Sequence, residues 1–380
     1  MEQQLYEPVH EEFRALCREF LQREAVPYHD KWEAEGIVDR DVWRKAGAAG
    51  LLGMDVPEEY GGGGQRDFRF NAVLVEEIVA QGCSGLGFGL HNDVVAPYLT
   101  ELATPAQRDR WLPGFCSGDI VTAIAMSEPG AGSDLAGTRT SAVREGDEWV
   151  LNGQKTFITN GEMADLVVIV AKTAAAEGAH GVSLIAVESG TPGFSRGRRL
   201  SKVGLRANDT AELFFDDCRV PADNLIGTEN HGFYHLMANL PRERLGIAVA
   251  AVAVAEHVLA MTLEYARSRE AFGRPIGSFQ ANRFLLAELD TEVTIARTFL
   301  NHCVREFDAG RLSVVDAAKA KWWTTELQNR VTDRCVQLHG GYGFMLEYPV
   351  AKAWLNSRVS TIYGGTTEIM KEIVGRGLGL

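Results

Sequence analysis

SEPGAGSD, at residues 127–134, and NGQKTFITNG, at residues 152–161, are the two segments that decide how this chain of 380 residues is interpreted. The first contains Pro129, which fixes φ, and glycines that let the backbone approach a ligand closely. In the second, Phe157 and Thr159 would point to the same side of a strand, so an aromatic ring and a hydroxyl could face a planar ligand and its polar edge. Taken one at a time, the first segment is more often a tight turn and the second more often part of a core.

The residues around these segments, about 120–227, have the texture of a β domain. Apolar runs are short and rich in β-branched residues, as at residues 167–170 and 182–187. Asn152 and Gly153 lie between two apolar stretches, a pattern that favours a two-residue hairpin turn because both residues tolerate positive φ.

Both flanks of this region show helical periodicity instead. From residue 285 to residue 304 apolar residues recur every three or four positions, which predicts one long helix. The other predicted helices cover about residues 13–21, 41–52, 68–81, 105–112, 314–338 and 366–375. Long helices of this kind usually form a bundle. The sequence therefore predicts an α+β fold: an N-terminal helical domain (1–119), a middle β domain (120–227) and a C-terminal helical bundle (228–380).

Composition and charge narrow the class of protein. Apolar residues make up 46% and charged residues 23%, which is ordinary for a globular chain. Lys and Arg number 38 and Asp and Glu 51, so the net charge is −13, which argues against broad nucleic-acid binding.

The sequence also suggests where the protein works. The longest apolar run, residues 245–255, is shorter than the roughly 20 residues of a spanning helix, so no membrane segment is expected. The acidic start MEQQLYEPVHEEF resembles neither a signal nor a transit peptide. Six widely spaced cysteines lack metal-site spacing, which favours free thiols in a reducing cytoplasm and no metal centre.

Three further segments extend the pattern to the C-terminal half: RSREAFGRPI (267–276), QLHGGYGF (337–344) and IYGGTTEI (362–369). With the first two segments, in this order, the chain resembles the acyl-CoA dehydrogenase family over essentially its whole length. The resemblance implies an N-terminal helical domain, a middle β-barrel-like domain and a C-terminal four-helix bundle, with FAD between the last two. It also implies a homotetramer and an electron-transferring flavoprotein as the electron acceptor.

The resemblance assigns FAD contacts to three groups of residues. Contacts with the flavin ring carry over to Ile124, Met126, Ser127, Ser133, Phe157, Ile158 and Thr159. Contacts across a subunit interface carry over to Arg269, Phe272, Gln280, Gln337, Gly340 and Gly341. Thr366 and Glu368 match the segment beside the pyrophosphate. Position 157 is Phe where many members have Trp, and position 124 is Ile where some have Tyr.

The catalytic base departs from the commonest family pattern. Many members carry a glutamate directly after the Tyr of the last segment, where this chain has Gly364. A branch that includes the long-chain and isovaleryl-CoA enzymes places the glutamate on a helix before an Arg-Leu pair, and the matching stretch here is NLPRERLGIA (239–248), with Glu243. From the residues alone, Glu243 could instead be an acid in the first turn of a helix that begins near Pro241. The resemblance implies that it is the base, with substrate contacts from Ser133, Arg244, Gly364 and Gly365.

The implied reaction is α,β-dehydrogenation of an acyl-CoA to a trans-2-enoyl-CoA in fatty-acid metabolism. Glu243 would take the α-proton and the flavin the β-hydride, while the Gly364 N–H would bind the thioester oxygen. Leu90, Val94, Tyr98 and Leu240 are guesses at the pocket wall.

Several alternatives stay open at this stage. The same motifs would serve a dehydrogenase of a carrier-protein-bound thioester in a biosynthetic pathway, or an oxygen-using oxidase. A non-catalytic, DNA-binding flavoprotein would be expected to carry a basic C-terminal region, and the segment GRGLGL is not basic. The one basic cluster is either a solvated loop or a contact for CoA phosphates or an acidic redox partner; it comprises Arg196, Arg198, Arg199, Lys202 and Arg206.

Overall fold

Helices make up the first part of the protein, as the periodicity predicts. The computed structural model describes residues 5–174, 178 and 180–380. The N-terminal helices are α1 (Pro8–Glu24), α2 (His29–Glu35), α3 (Arg40–Ala48), α4 (Phe68–Ala80) and α5 (Pro105–Ser117). Two π-helical stretches, Leu90–Val95 and Tyr98–Leu102, lie between α4 and α5. Trp32, Trp43 and Phe88 help to fill the core of these helices.

One sheet occupies the middle of the chain. Its strands are β1 (Thr122–Ala125), β2 (Ser141–Glu145), β3 (Glu148–Thr159), β4 (Leu166–Lys172), β5 (Val182–Glu188), β6 (Phe194–Arg199), β7 (Thr210–Pro221) and β8 (Leu225–Ile226). The order is β6-β7-β3-β2-β4-β5-β8, and β1 runs parallel to β4. Trp149 and Leu213 from one half of the sheet meet Ile169 and Ile185 from the other half in a single core. This folded sheet is the barrel-like middle domain that the resemblance implies.

Strands β4 and β5 are buried on both faces. Val167 and Ile169 point into the core of the sheet, whereas Val168 and Val170 pack against Trp111 and other residues of the N-terminal helices. Double burial explains why both strands read as uninterrupted apolar runs.

The prediction of a hairpin turn at Asn152 and Gly153 is wrong. Strand β3 continues through this pair, and its register with β7 shifts there, which marks a β-bulge. The turn between β2 and β3 lies earlier, at Gly146 and Asp147. Gly153 has a φ of 149°, and a Cβ on it would lie 2.7 Å from the Cα of Thr140. Glycine is needed here because another backbone passes close by, not because the chain turns.

The C-terminal part is the predicted helical bundle. It contains α6 (Gly232–Ser268), a small hairpin of β9 (Glu270–Ala271) and β10 (Arg274–Pro275), α7 (Gln280–Asp308), α8 (Val314–His339), α9 (Pro349–Ser357) and α10 (Thr367–Gly377). Val252, Leu289 and Val331 come from α6, α7 and α8 and meet in one core. Phe68 and Ala72 of α4 enter the same core, so the bundle and the N-terminal helices pack as one unit.

Helix α6 is the core helix of this bundle. Within the described residues it is the one helix whose length and composition would allow it to cross a membrane, and 56% of its most apolar window is buried inside the protein. Its side chains Leu245, Val249 and Val252 are nearly inaccessible to solvent. The apolar character of α6 is therefore accounted for by packing against the protein itself.

The bulge at Gly153 gives a test of the fold. Gly153→Ala should lower the midpoint of thermal unfolding, because the new Cβ would press on the Thr140 backbone at a φ that alanine rarely adopts. Overpacking and strain of this kind cost about 2 kcal/mol or more. Gly375→Ala, where nothing lies within 4 Å of the added carbon, is the matched control and should leave the midpoint unchanged or raise it. An unchanged midpoint for Gly153→Ala would contradict this account of the bulge.

Candidate active site

A buried ion pair joins the two segments from which the sequence was first interpreted. Lys155 Nζ lies 2.8 Å from Glu128 Oε1 and donates a hydrogen bond of 3.1 Å to the carbonyl of Met126. The Thr156 N–H donates to the carbonyl of Ser127 at 2.9 Å. The loop after β1 is thus fixed against β3, as the expected flavin site requires. Sequence reasoning missed this pair, although both charged residues lie inside the quoted segments.

Burial shapes the charges of this pair. It lowers the pKa of Lys155 to about 8, against the opposing effect of Glu128. Burial also favours the neutral form of Glu128, but hydrogen bonds from Lys155, Thr140 and the Arg139 N–H hold the pKa of that carboxyl below its usual value. A buried charge pair is tolerated when it is hydrogen-bonded in this way.

Phe157 is presented to solvent by a strained backbone. Its φ is 61°, the register between β3 and β7 shifts between Lys155 and Ile158, and its side chain is 70% exposed. A bulky side chain at positive φ is rare and is found where a surrounding structure enforces it. Thr159 follows on the same strand, half-buried, so an aromatic ring and a hydroxyl lie close together at this end of β3.

The remaining residues expected at the flavin ring differ in how accessible their side chains are to a ligand. The side chains of Ile124 and Ile158 are buried in two different cores, so only their backbones are available to a ligand. Ser133 is exposed, and Gly130 and Gly132 in the same loop have open space where a side chain would be. Met126 and Ser127 are half-buried at the start of this loop. The loop therefore leaves room for a flat group beside it.

Glu243 lies inside α6 rather than at its start. The prediction that this helix begins near Pro241 is wrong, because α6 begins at Gly232 and carries Pro241 within it. A role as a first-turn acid is therefore removed. The side chain of Glu243 is only 6% exposed, and its Oε1 accepts a hydrogen bond of 3.1 Å from the hydroxyl of Tyr98.

The pKa of Glu243 is raised to about 7, because burial disfavours the carboxylate. The hydrogen bond from Tyr98 and the charge of Arg244 act in the opposite direction and do not cancel the effect of burial. A carboxyl with a pKa near neutrality is a far better proton acceptor than an ordinary glutamate.

Two buried cations hold the loop that contains Gly364 and Gly365. Arg244 Nε donates to the carbonyl of Gly364 at 3.4 Å, and Lys321 Nζ donates to the carbonyl of Gly365 at 2.7 Å. Lys321 is fully buried, and burial together with the nearby charge of Arg244 lowers its pKa to about 8. Sequence reasoning missed Lys321; a lysine within the apolar stretch AAKAKWW of α8 was the available signal.

A side chain at residue 364 would require Ile247 to move. Gly364 has a φ of 66°, and a Cβ there would overlap the Cδ1 atom of Ile247. Ile247 lies four residues after Glu243, on the same face of α6. The space beside the loop is thus filled from α6, the helix that also carries Glu243.

The group expected to reach a neighbouring subunit lies on the surface. Arg269, Gly340 and Gly341 help to line one cavity of about 380 Å³, and the Arg269 guanidinium lies 5.9 Å from the centre of the Tyr342 ring. Phe272, at the tip of the β9–β10 hairpin, is 96% exposed. Gln280 and Gln337 are exposed on α7 and α8 and do not line this cavity.

Thr366 caps the N-terminus of α10. Its side-chain oxygen accepts a hydrogen bond from the Ile369 N–H at 3.4 Å. Hydrogen bonds from the backbone N–H of Glu368 and from the Thr366 side chain lower the pKa of the Glu368 carboxyl. A helix N-terminus favours a phosphate. With the exposed ring of Phe157 and the open glycine loop, the residues present fit a cofactor that combines a flat ring and a pyrophosphate, as FAD does.

Three members of the basic cluster serve the fold of the middle domain. Arg196 donates to the carbonyl of Gly161 at 3.0 Å, and Arg199 pairs with Glu162 at 2.6 Å. Lys202 donates to the hydroxyl of Thr210 at 2.9 Å. Arg198 and Arg206 are exposed and remain the candidates for an anionic ligand.

One group of potential metal ligands occurs in the described part of the chain: His29, Asp30 and Glu33. Both carboxylates pair with Lys352, at 2.8 and 2.7 Å, and His29 Nε2 is hydrogen-bonded to the Ser84 carbonyl. Lys352 therefore offsets one of the two negative charges of this group.

Comparison with known proteins agrees with this geometry along the whole chain. The acyl-CoA dehydrogenase N-terminal domain family matches residues 7–119, the middle domain family residues 123–218 and the C-terminal domain family residues 230–379. The rat long-chain specific acyl-CoA dehydrogenase, a mitochondrial protein, is 48% identical over 98% of this chain and 87% of its own length. The rice mitochondrial isovaleryl-CoA dehydrogenase is 35% identical over 98% of this chain and 92% of its own.

Solved structures give the same result. The crystal structure of an acyl-CoA dehydrogenase from Geobacillus kaustophilus superposes with a TM-score of 0.97 at 48% identity and covers 99% of both chains. On its motifs, its fold and these relatives, the chain belongs to the acyl-CoA dehydrogenase family.

Proposed function

We propose that Glu243 is the base in the FAD-dependent dehydrogenation of an acyl-CoA, the reaction of the family to which the chain belongs. The observation that carries this assignment is the burial of the Glu243 carboxylate, which brings its pKa to about 7. Residue 364, the usual place of the base, is a glycine whose side-chain space is filled by Ile247.

The chain's own residues would act on the thioester as follows. Glu243, when ionised, takes the proton from Cα, and the electron pair of that C–H bond forms the new double bond. The Gly364 N–H donates to the thioester oxygen, where negative charge develops. Arg244 and Lys321 keep this N–H in position through their hydrogen bonds to the carbonyls of the loop. When bound, FAD supplies the acceptor for the hydride that leaves Cβ.

The residues that would hold FAD fall on three elements. Phe157 and Thr159 of β3 and Ser127 and Ser133 of the loop after β1 would contact the ring, and Thr366 at the N-terminus of α10 would lie beside the pyrophosphate. Six further residues would contact the FAD of a neighbouring subunit: Arg269, Phe272, Gln280, Gln337, Gly340 and Gly341. The exposure of Phe272 on a projecting hairpin supports an interface with a neighbouring subunit, and the family resemblance makes a homotetramer the proposed assembly.

The wider setting is also a proposal. We expect the enzyme to work in fatty-acid metabolism in the cytoplasm, with an electron-transferring flavoprotein as acceptor. The six cysteines are all buried as free thiols, which supports a reducing compartment. A carrier-protein substrate is not favoured, because relatives that are 48% and 35% identical over 98% of this chain are named for CoA thioesters, whereas a prolyl acyl carrier protein oxidase that covers 99% of the chain is 28% identical.

The spectrum of the purified protein tests the cofactor and the substrate together. Without oxygen, the yellow colour of bound FAD should bleach when an acyl-CoA of the preferred chain length is added. Short, medium and long chains should be compared in parallel, so that the same experiment identifies the preferred length. A yellow protein that none of them bleaches would contradict acyl-CoA as substrate, and a colourless protein that cannot be reconstituted would contradict FAD.

Replacement of the base tests the role of Glu243. Glu243→Gln should keep FAD bound and lower kcat by about 10²–10⁴-fold, because the amide cannot accept the α-proton. In the wild type, the rate should fall as the pH drops through about 7, because protonation removes the base. Glu264→Gln, on an exposed face of α6, is the control and should retain the wild-type rate. Full activity of Glu243→Gln would overturn the assignment.

A substitution at Lys321 tests whether catalysis depends on the position of the Gly364–Gly365 loop. Lys321→Met fills the same space but leaves the Gly365 carbonyl without its donor, so kcat should fall about tenfold with a smaller change in KM. Lys371→Met, which removes an exposed lysine from α10, is the control. Should Lys321→Met fold, bind FAD and turn over at the wild-type rate, the loop would not depend on this cation.

A further inference from the structure

Tyr98 makes the only hydrogen bond to the Glu243 carboxylate that is found in the described part of the chain. Its hydroxyl donates to Glu243 Oε1 at 3.1 Å, and both side chains are buried. Tyr98 belongs to the N-terminal helices, whereas Glu243 belongs to the bundle. The contact therefore joins two parts of the protein at the carboxylate itself.

The surroundings of Tyr98 fix the direction of its hydroxyl. The residue begins the second π-helical stretch, directly after Pro97, and its ring packs in a cluster with Leu99, Trp111 and Phe115. A large ring held on all sides by buried residues cannot swing away. π-Helical stretches in proteins are frequent at functional sites.

We propose that Tyr98 is a positioning residue for proton abstraction: its hydroxyl fixes Oε1 of Glu243, so that Oε2 is the atom that takes the α-proton. This inference rests on the proposed role of Glu243 as base. From the sequence alone, Tyr98 was only a guess at the pocket wall.

The free-energy cost of burying the Tyr98 hydroxyl agrees with a positioning role for this residue. A phenol hydroxyl in an apolar cluster is costly unless it finds an acceptor, and the Glu243 carboxylate is that acceptor. Burial, and then the charge of Glu243, raise the pKa of Tyr98 well above its usual value, so the phenol stays a donor at any working pH. The same hydrogen bond stabilises the ionised form of Glu243 against burial.

Other charged groups lie around this part of α6. Arg244, on the same helix, lowers the pKa of Glu243, and Lys321 of α8 lies close enough to Arg244 to feel its charge. Asp93, from the first π-helical stretch, faces Gly246 and is itself raised to a pKa of about 6 by burial, with Arg242 opposing. Tyr98 differs from all of these because it alone is hydrogen-bonded to the carboxylate.

The test is the pH dependence of a single turnover in the holoenzyme. Tyr98→Phe keeps the ring and removes the donor, so the pH at which flavin reduction by acyl-CoA is half-maximal should rise by about one to two units. At high pH, where Glu243 is ionised in both proteins, the limiting rate of Tyr98→Phe should stay about tenfold below that of the wild type, because Oε1 is no longer held in place. Tyr6→Phe removes another buried phenol hydroxyl, far from Glu243 in sequence and not bonded to it, and should leave the midpoint in place.

A second readout does not depend on turnover. The infrared band of the protonated Glu243 carboxyl, identified by its absence in Glu243→Gln, should titrate at a higher pH in Tyr98→Phe. Fluorotyrosine at position 98 is a stronger donor in an unchanged fold and should shift both midpoints to lower pH.

The outcomes separate this inference from the proposed function. If Glu243→Gln is inactive but neither substitution at residue 98 moves the midpoints, the role of Tyr98 is wrong and the base assignment stands. If Glu243→Gln is fully active, the base assignment is wrong and this inference falls with it.

Discussion

The burial of one carboxylate, that of Glu243, is the constraint on which the rest of the site depends. The free energy that favours protonation of a buried carboxyl also makes it a stronger base, but only if it can still ionise near neutral pH. Tyr98 provides one hydrogen bond and Arg244 one positive charge, and together they leave the pKa at about 7. The N-terminal helices and α6 must therefore pack closely, because Tyr98 comes from the former and Glu243 and Arg244 from the latter.

Two buried cations bind the backbone of the loop at Gly364 and Gly365. Arg244 and Lys321 donate to the carbonyl oxygens of this loop, so they hold the backbone whose Gly364 N–H is proposed to bind the thioester oxygen. The glycine at position 364 and the isoleucine at position 247 are complementary, because one leaves the space that the other fills. A base on α6, as proposed for Glu243, therefore involves the loop as well as the helix.

The cofactor side of the site depends on a second buried pair. Lys155 and Glu128 connect β3 to the loop after β1, and the bulge beside Lys155 turns Phe157 outward. The buried ion pair therefore fixes the inner part of β3, and the exposed ring of Phe157 is accessible to a ligand. The bulge at Gly153 has a different purpose, since it lets Thr140 pass.

The sequence by itself determined the family, the α, β, α order of the domains and Glu243 as the base candidate, because motifs and periodicity are local and survive without coordinates. It placed the hairpin turn at Asn152-Gly153 and the start of α6 near Pro241, and both were wrong, because a bulge and a helix-internal proline use the same residue types as a turn and a helix start. Only the tertiary structure showed the contacts that bring Tyr98 and Lys321 to the candidate site around Glu243 and that pair Lys155 with Glu128. The first two reach it from elements far from Glu243 in sequence. Burial, which sets the direction of the pKa shifts of Glu243, Lys321 and Lys155, is a property of the packed molecule and not of any segment.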